Sequence, residues 1–151
     1  MKITDILAPD SIICDAEAVS KKQLLEMLAE LASEKTGLDE RVVLDALIER
    51  ERLGTTGIGR GVALPHTRLG MLKHIFCAFI KTTPVDFESV DDKPVDLAFL
   101  LLVPEEAGAD HLKALARLSR LLRDDSAASA LRQAKTPESA YQIISDNDTE
   151  E

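Results

Sequence analysis

Two long apolar segments constrain the fold more than any other feature of this 151-residue sequence. Residues 74–82 read HIFCAFIKT and residues 95–103 read VDLAFLLLV, and neither alternates strictly between polar and apolar side chains. Strands that are apolar on both faces are usually covered by other elements on both sides. The two segments therefore predict an α/β fold, a single-domain helix–sheet–helix sandwich.

The flanking segments predict the remaining elements. Ser20 and Gln23 are spaced as a capping box, Gly37 suits a helix end, and Thr136 followed by Pro137 suits a helix start. A strand is predicted at 11–15, and helices are predicted at 20–35, from Asp39 to about Leu53, and at 111–123, 124–134 and 136–146. Strands and helices are thus interspersed, as the sandwich requires.

Charge and hydropathy exclude several classes of function. The chain carries 18 basic and 27 acidic side chains, a formal net charge of -9. That field repels nucleic acid and anionic membranes, so we expect no nucleic-acid partner. The longest apolar run, residues 97–103, is too short to cross a bilayer, and the N-terminus lacks the apolar core of a signal peptide. We expect a cytoplasmic protein without membrane insertion.

Residues 54–68, GTTGIGRGVALPHTR, hold four glycines and end close to a histidine. The GIGRG segment resembles part of a dinucleotide fingerprint, but that fingerprint follows a strand and opens a helix, whereas here a helix precedes it. The pattern therefore argues against nucleotide binding. The glycines favour either a tight turn with positive φ or a close approach of backbone N–H groups to an anion.

Arg50 lies where a charged side chain needs an explanation. At about 100° per residue, it falls on the same arc of its helix as Val43, Ala46 and Leu47. A guanidinium on a core-facing stripe needs a partner or a cavity. It either forms an ion pair with a carboxylate or binds an anion, because its planar fork suits phosphate oxygens.

Two histidines are candidates for the same site. His111 continues an apolar stripe of Leu115, Leu118 and Leu122, and Asp110 before it suits an N-cap. His66 follows Pro65, which tends to end or edge a strand. A neutral imidazole facing a cleft is a good nucleophile near pH 7, although either histidine could equally be a packed residue at the core margin.

Four segments together resemble a known family. Residues 49–68 (ERERLGTTGIGRGVALPHTR), 90–106 (VDDKPVDLAFLLLVPEE), 110–124 (DHLKALARLSRLLRD) and 140–146 (AYQIISD) are similar to enzyme IIA domains of the mannitol/fructose class in the bacterial phosphotransferase system, and to their free-standing nitrogen-regulatory branch. The resemblance implies a mixed sheet with helices on both faces. It places the domain at residues 1–145, and we expect residues 146–151 to form a disordered acidic tail.

The resemblance also implies roles for single residues. His66 would be phosphorylated by an HPr-like phosphocarrier protein, Arg50 would contact the phosphoryl group, and His111 would be the second histidine of the site. Residues expected to support phosphoryl binding are Thr55, Thr56, Gly57 and Gly59. No cofactor and no metal are implied. Relatives often have glycine after the histidine, where this chain has Thr67.

Three functions remain open on the sequence. The first is a phosphoryl carrier with a regulatory, nitrogen-type output on protein targets that the sequence does not name. The second is a sugar-specific component that passes phosphate to a fructose or mannitol IIB domain. The third is a protein-binding regulator that is not phosphorylated.

Overall fold

A six-stranded mixed sheet forms the centre of the computed structural model, which describes residues 1–149. The strands are β1 (Ile12–Ala16), β2 (Gly57–Gly59), β3 (Val62–Ala63), β4 (His66–Leu69), β5 (Phe76–Val85) and β6 (Val95–Pro104). Over the same residues the α-helices are α1 (Lys21–Thr36), α2 (Glu40–Arg52), α3 (Ala109–Arg123), α4 (Asp125–Gln133) and α5 (Pro137–Asn147). Within residues 1–149, no helix combines the length and apolar character that a bilayer span needs.

The two apolar segments form the central strands of this sheet. The strand order is β1–β5–β6–β3–β2, and β4 also pairs with β6. β5 runs antiparallel to β6, whereas β1 is parallel to β5, and β3 and β4 are parallel to β6. The mixed sheet that the family resemblance implied is therefore confirmed.

Side chains of β6 supply two separate cores, one on each face of the sheet. Leu97, Phe99 and Leu101 pack with residues of α3, α4 and α5. The alternate residues Leu100 and Leu102 pack with α1 and α2 on the opposite face. All five are fully buried. Helices thus cover both faces, which confirms the sandwich predicted from the apolar strands.

Helix ends follow their local sequence in most cases. The Ser20 hydroxyl accepts a hydrogen bond from the Gln23 backbone, and Gly37 ends α1 with a φ of 79°. The Gln23 side chain caps the N–H of Val19 rather than that of Ser20, so the predicted capping box is displaced by one residue. Asp39 and Thr136 cap α2 and α5 as predicted.

The start of α3 differs from the prediction. The N-cap is Gly108, with a φ of 60°, and Asp110 already lies inside the helix. A left-handed backbone conformation favours glycine, so the helix begins two residues earlier than an aspartate cap would place it. His111 is consequently the third helical residue, still in the first turn.

The C-terminal helix and the residue that follows it lie against the N-terminal segment. α5 continues through Asn147, beyond the domain end expected at residue 145. The Asp148 carboxylate then accepts hydrogen bonds from the Ile3 backbone at 2.7 Å and from Arg117 at 3.3 Å. The division into domain and tail stays a prediction, because residues 150 and 151 lie outside the described residues.

Candidate functional site

His66 opens β4 at an interruption in one edge of the sheet. β3 and β4 pair with the same side of β6 and in the same register, with Val62 opposite Leu97 and His66 opposite Leu101. Pro65 lies between the two short strands and lacks a backbone N–H, so the ladder is broken there. Its carbonyl still accepts from the Leu101 backbone. The break places His66 at a strand start next to a loop.

Side-chain alternation along β4 separates His66 from Thr67. Leu101 and Val103, which pair with His66 and Arg68, belong to the core on the α3 face. Successive strand side chains point to opposite faces, so His66 and Arg68 face α3 while Thr67 faces α2. The side chain of Thr67 therefore does not lie on the same face as the His66 ring.

A backbone carbonyl determines the tautomer of His66. Its Nδ1 lies 2.8 Å from the carbonyl oxygen of Leu64. A carbonyl can only accept, so Nδ1 carries the proton and donates it. In the neutral ring Nε2 then holds the free lone pair. The ring is half-buried, and its nucleophilic nitrogen is Nε2.

His111 lies beside His66. The two ring centroids are 6.4 Å apart, with the ring planes tilted by 36°. The pKa of His111 is lowered from 6.5, first by partial burial and then by the positive charge of Arg68 and the neighbouring His66. A neutral His111 is therefore favoured near pH 7. Sequence reasoning proposed both histidines for one site, and the structure brings them together.

The N-terminus of α3 adds a favourable field at this place. Its N-cap residue is a glycine, and no side chain of the described residues caps the helix. The first backbone N–H groups of a helix lack intrahelical partners, and the helix dipole favours negative charge near them. His111 in the first turn thus lies where an anion is stabilised.

Arg68 belongs to this cluster, although sequence reasoning did not select it. One guanidinium nitrogen donates to the Glu105 carbonyl at 2.7 Å, and the other lies 3.5 Å from Nδ1 of His111. The available signal was its spacing, because residues two apart in a strand share a face. Arg68 therefore faces α3 together with His66.

Arg50 stands at the last turn of α2, on the opposite side of β4. Its guanidinium donates to the Gly54 carbonyl at 2.9 Å. Within residues 1–149 it forms no ion pair with a carboxylate, so the structural ion pair considered for this residue is not found there. Among the strands within residues 1–149, β4 pairs with β6 alone, so its other edge has no strand partner. No hydrogen bond in the described chain joins Arg50 to either histidine.

Both threonine hydroxyls hold the glycine-rich stretch in place. The Thr55 hydroxyl donates to the Phe87 carbonyl and accepts from the Gly57 N–H. Thr56 is buried, and its hydroxyl and N–H both donate to the carboxylate of Glu51. Lys21 lies 3.0 Å from the same carboxylate, whose side chain is only 7% exposed. Both hydroxyls thus have protein partners, and Glu51 is a supporting residue that the sequence did not reveal.

The glycines make room for a neighbouring loop. A Cβ at Gly57 would overlap the side chain of Ser89, and one at Gly59 would lie 3.3 Å from the Asp91 carboxylate. Gly59 also has a φ of 100°. The two glycines therefore let β2 pack closely against residues 89–91. Their space is filled by protein rather than left open for an anion.

The described part of the chain contains no candidate metal site. Residues 1–149 contain no group of three or more His, Cys, Asp or Glu side chains placed to hold one ion. The site instead combines one free imidazole lone pair with cationic and N–H donors. Such a set can accept an electrophilic anionic group and stabilise its charge.

Comparison with known proteins assigns the chain to a family. A family model described as phosphoenolpyruvate-dependent sugar phosphotransferase system, EIIA 2, matches residues 5–147. The chain belongs to this family. The match spans nearly the whole chain of the EIIA 2 protein and includes the three residues His66, Arg50 and His111.

Similar proteins of the EIIA 2 family include both regulatory and sugar-specific members. A nitrogen regulatory protein of Bradyrhizobium diazoefficiens is 52% identical, over 95% of each chain. A fructose-specific EIIA component of Haloferax volcanii is 34% identical, over 97% of this chain and 98% of its own. The crystal structure of the nitrogen regulatory protein IIA-Ntr from Neisseria meningitidis superposes with a TM-score of 0.90 at 39% identity, covering 94% of this chain and 98% of that one.

Proposed function

We propose that this EIIA 2 protein is a phosphoryl carrier that is phosphorylated on His66 by an HPr-like phosphocarrier protein and has a regulatory, nitrogen-type output. The observation that carries the proposal is the hydrogen bond from His66 Nδ1 to the Leu64 carbonyl, which leaves Nε2 as the free nucleophile beside His111. The resemblance to nitrogen regulatory proteins supports the output. A carrier supplied by a phosphocarrier protein acts in the cytoplasm.

The transfer step needs no proton to leave His66. The Nε2 lone pair attacks the phosphorus of the donor's phosphohistidine, and the new N–P bond forms while the donor's N–P bond breaks. The electron pair of the broken bond returns to the donor nitrogen. The Nδ1 proton stays in place and remains hydrogen-bonded to Leu64, which stabilises the positive ring that carries the phosphoryl group.

The surrounding donors stabilise charge on the transferred group. Phosphoryl transfer depends mainly on positioning and on electrostatic stabilisation of the phosphoryl oxygens. Arg50 would reach these oxygens around the free edge of β4, since only one of its donors is used by Gly54. Neutral His111 and the uncapped first turn of α3 would complete the set from the other face.

The threonines and glycines enter the proposal in an indirect role. Thr55 and Thr56 anchor the stretch between α2 and β3. Gly57 and Gly59 let that stretch pack on residues 89–91. They would support phosphoryl binding by fixing the end of α2, and with it Arg50.

Phosphorylation with a defined donor tests the proposal. The purified protein is mixed with a phosphorylated HPr-like donor, and acid-labile phosphate on the protein is measured. We expect labelling of the wild type, none of His66→Gln, and normal labelling of His74→Gln, a matched change at another histidine. Nitrogen NMR of the labelled protein should show phosphorus bound to Nε2. Full labelling of His66→Gln, or attachment at Nδ1, would refute the assignment.

A sugar-specific role is the second candidate, since one relative is a fructose-specific component. Rapid transfer of the label to a purified fructose or mannitol IIB domain would favour this role. A regulatory carrier should instead keep its label in the presence of IIB. If no donor labels the protein while it still binds partner proteins, it is a non-phosphorylated regulator.

A further inference from the structure

Arg68 connects three parts of the site. It lies on β4, two residues after His66, and pairs with Val103 near the end of β6. One of its nitrogens donates to the Glu105 carbonyl, in the turn between β6 and α3. The other reaches Nδ1 of His111 on the first turn of α3. The guanidinium thus joins the strand that carries one histidine to the helix that carries the other.

The chemistry of this contact selects a tautomer. A guanidinium has N–H donors only and stays protonated in proteins. Because Arg68 can only donate, Nδ1 of His111 must accept, and a neutral His111 then carries its proton on Nε2. His66 has the opposite arrangement, with its proton on Nδ1 and its lone pair on Nε2. One ring is left as a nucleophile and its neighbour as a donor.

We propose that Arg68 is a positioning residue that holds His111 in the Nε2–H tautomer, so that His111 donates a hydrogen bond to the phosphoryl group on His66. The role rests on the proposed function of His66, but the tautomer itself does not. Arg68 acts through His111, and its second hydrogen bond, to Glu105, fixes where the guanidinium lies. The positive charge beside the ring also keeps His111 neutral, because protonation would place two cations side by side.

Replacement of Arg68 by methionine removes the donors and keeps an unbranched side chain. In Arg68→Met nothing fixes Nδ1 of His111 as an acceptor, so both neutral tautomers become populated. Arg68→Lys restores a cationic donor at the same position. Arg41→Met serves as the matched control, because Arg41 is exposed at the start of α2 and pairs only with Asp45 in the described residues.

Nitrogen NMR of the unphosphorylated protein measures the tautomer directly. We expect His111 in the wild type, Arg68→Lys and Arg41→Met to show a protonated Nε2 and an unprotonated Nδ1, and Arg68→Met to show a mixture. Phosphoryl transfer from the HPr-like donor to His66 should slow about 2-fold in Arg68→Met, because about half of the molecules then lack the Nε2–H donor, and recover largely in Arg68→Lys. A circular dichroism spectrum and an unfolding curve establish that each variant is folded.

Each outcome decides the inference. A wild-type tautomer in folded Arg68→Met overturns it, and slow transfer in that case assigns Arg68 to the phosphoryl group itself. A mixed tautomer with unchanged transfer also overturns it, because the tautomer would then not serve the reaction. If the wild type is never labelled, the proposed function fails, and the NMR result alone still shows whether Arg68 sets the tautomer.

Discussion

At the scale of single residues, a hydrogen bond to one atom of each candidate side chain determines which of its other atoms remain available. The Leu64 carbonyl leaves Nε2 of His66 free, and Arg68 occupies Nδ1 of His111. Arg50 donates to the Gly54 carbonyl, which ties its side chain to the end of α2, and in the proposed function its other N–H groups would bind the phosphoryl group. Substitutions here should change chemistry more than stability.

Arg50→Met should slow phosphorylation of His66 by about 100-fold, the order of effect that follows loss of one oriented donor to a transition-state oxyanion. Stability should fall by less than about 1.5 kcal/mol, since only the hydrogen bond to Gly54 is lost. A time course of labelling measures the phosphorylation rate, and urea unfolding measures the stability. Arg52→Met, at an exposed arginine paired with Glu49, should leave the labelling rate at the wild-type value. Unfolding of Arg50→Met would instead show that Arg50 is structural.

His111 should make folding stability depend on pH. Its pKa is lowered in the folded protein, mainly by burial, with further contributions from Arg68 and His66. Below the unfolded value of about 6.5, the unfolded chain binds more protons than the folded chain, so stability falls as the pH drops through the folded pKa. Above about pH 7, His111 no longer contributes to the dependence of the free energy of unfolding on pH.

The measurement is urea unfolding at a series of pH values from about 7 down to about 5. His111→Gln should show a shallower loss of stability than the wild type over this range. Lys113→Gln, at an exposed neighbour on α3, should keep the wild-type slope. Identical slopes for His111→Gln and the wild type would contradict the lowered pKa.

At the scale of elements, the glycine-rich stretch is a strap that connects the end of α2 to β3. Glu51, next to Arg50, anchors it through the backbone and hydroxyl of Thr56 and is itself paired with Lys21. Removal of one partner from such a partly buried network leaves polar groups of the other residues without their hydrogen bonds. We therefore expect loss of the Glu51 carboxylate to loosen the end of α2, next to Arg50.

Glu51→Ala should lower the free energy of unfolding by about 1.5–3 kcal/mol, the range for hydrogen bonds to a charged group. It should also slow labelling of His66 by a donor, because the end of α2 is no longer fixed. Thr56→Val removes only the hydroxyl bond and should have a smaller effect on both. Glu49→Ala, at an exposed glutamate on the same helix, is the control. Wild-type stability of Glu51→Ala would exclude the anchoring role.

At the scale of the whole molecule, Arg117 on α3 holds the two ends of the chain together. It donates to the Met1 carbonyl, to the Asp148 carboxylate and to the Thr149 carbonyl. The ion pair with Asp148 is well buried, with side-chain exposures of 8% and 4%. The helix that carries His111 thus contacts Met1, Asp148 and Thr149 through Arg117.

Arg117→Met should destabilise the protein by about 3–5 kcal/mol, because it leaves the Asp148 carboxylate buried without its cation. The double variant Arg117→Met/Asp148→Asn should lose less stability than the sum of the losses in the two single variants. Arg123→Met, an exposed arginine on the same helix, should have little effect. Chemical unfolding of the four variants measures the coupling, and strict additivity would show that the pair is unimportant.

Most of the architecture could be predicted from the sequence. Caps such as Ser20 and Asp39 act within three residues, so their partners are adjacent in the chain. The two-sided burial of β5 and β6 follows from their apolar composition alone. The motif that carries His66 and Arg50, and the stripe that carries His111, likewise lie in continuous segments. The five helices, the strands β1, β5 and β6 and the family resemblance could therefore be predicted from continuous segments, whereas β2, β3 and β4 were not predicted as strands.

Only the tertiary structure decided how these residues are connected. Arg68 contacts Glu105 and His111, which are far from it along the chain. Asp148 likewise accepts a hydrogen bond from the backbone of Ile3. The hydroxyls of Thr55 and Thr56, expected to support phosphoryl binding, donate to the Phe87 carbonyl and the Glu51 carboxylate. Hydrogen bonds depend on distances of a few ångström between groups far apart in sequence, and no periodicity encodes them. The sequence indicated His66, Arg50 and His111 as candidates, whereas Arg68 and the hydrogen-bond partners of the ring nitrogens are seen only in the tertiary structure.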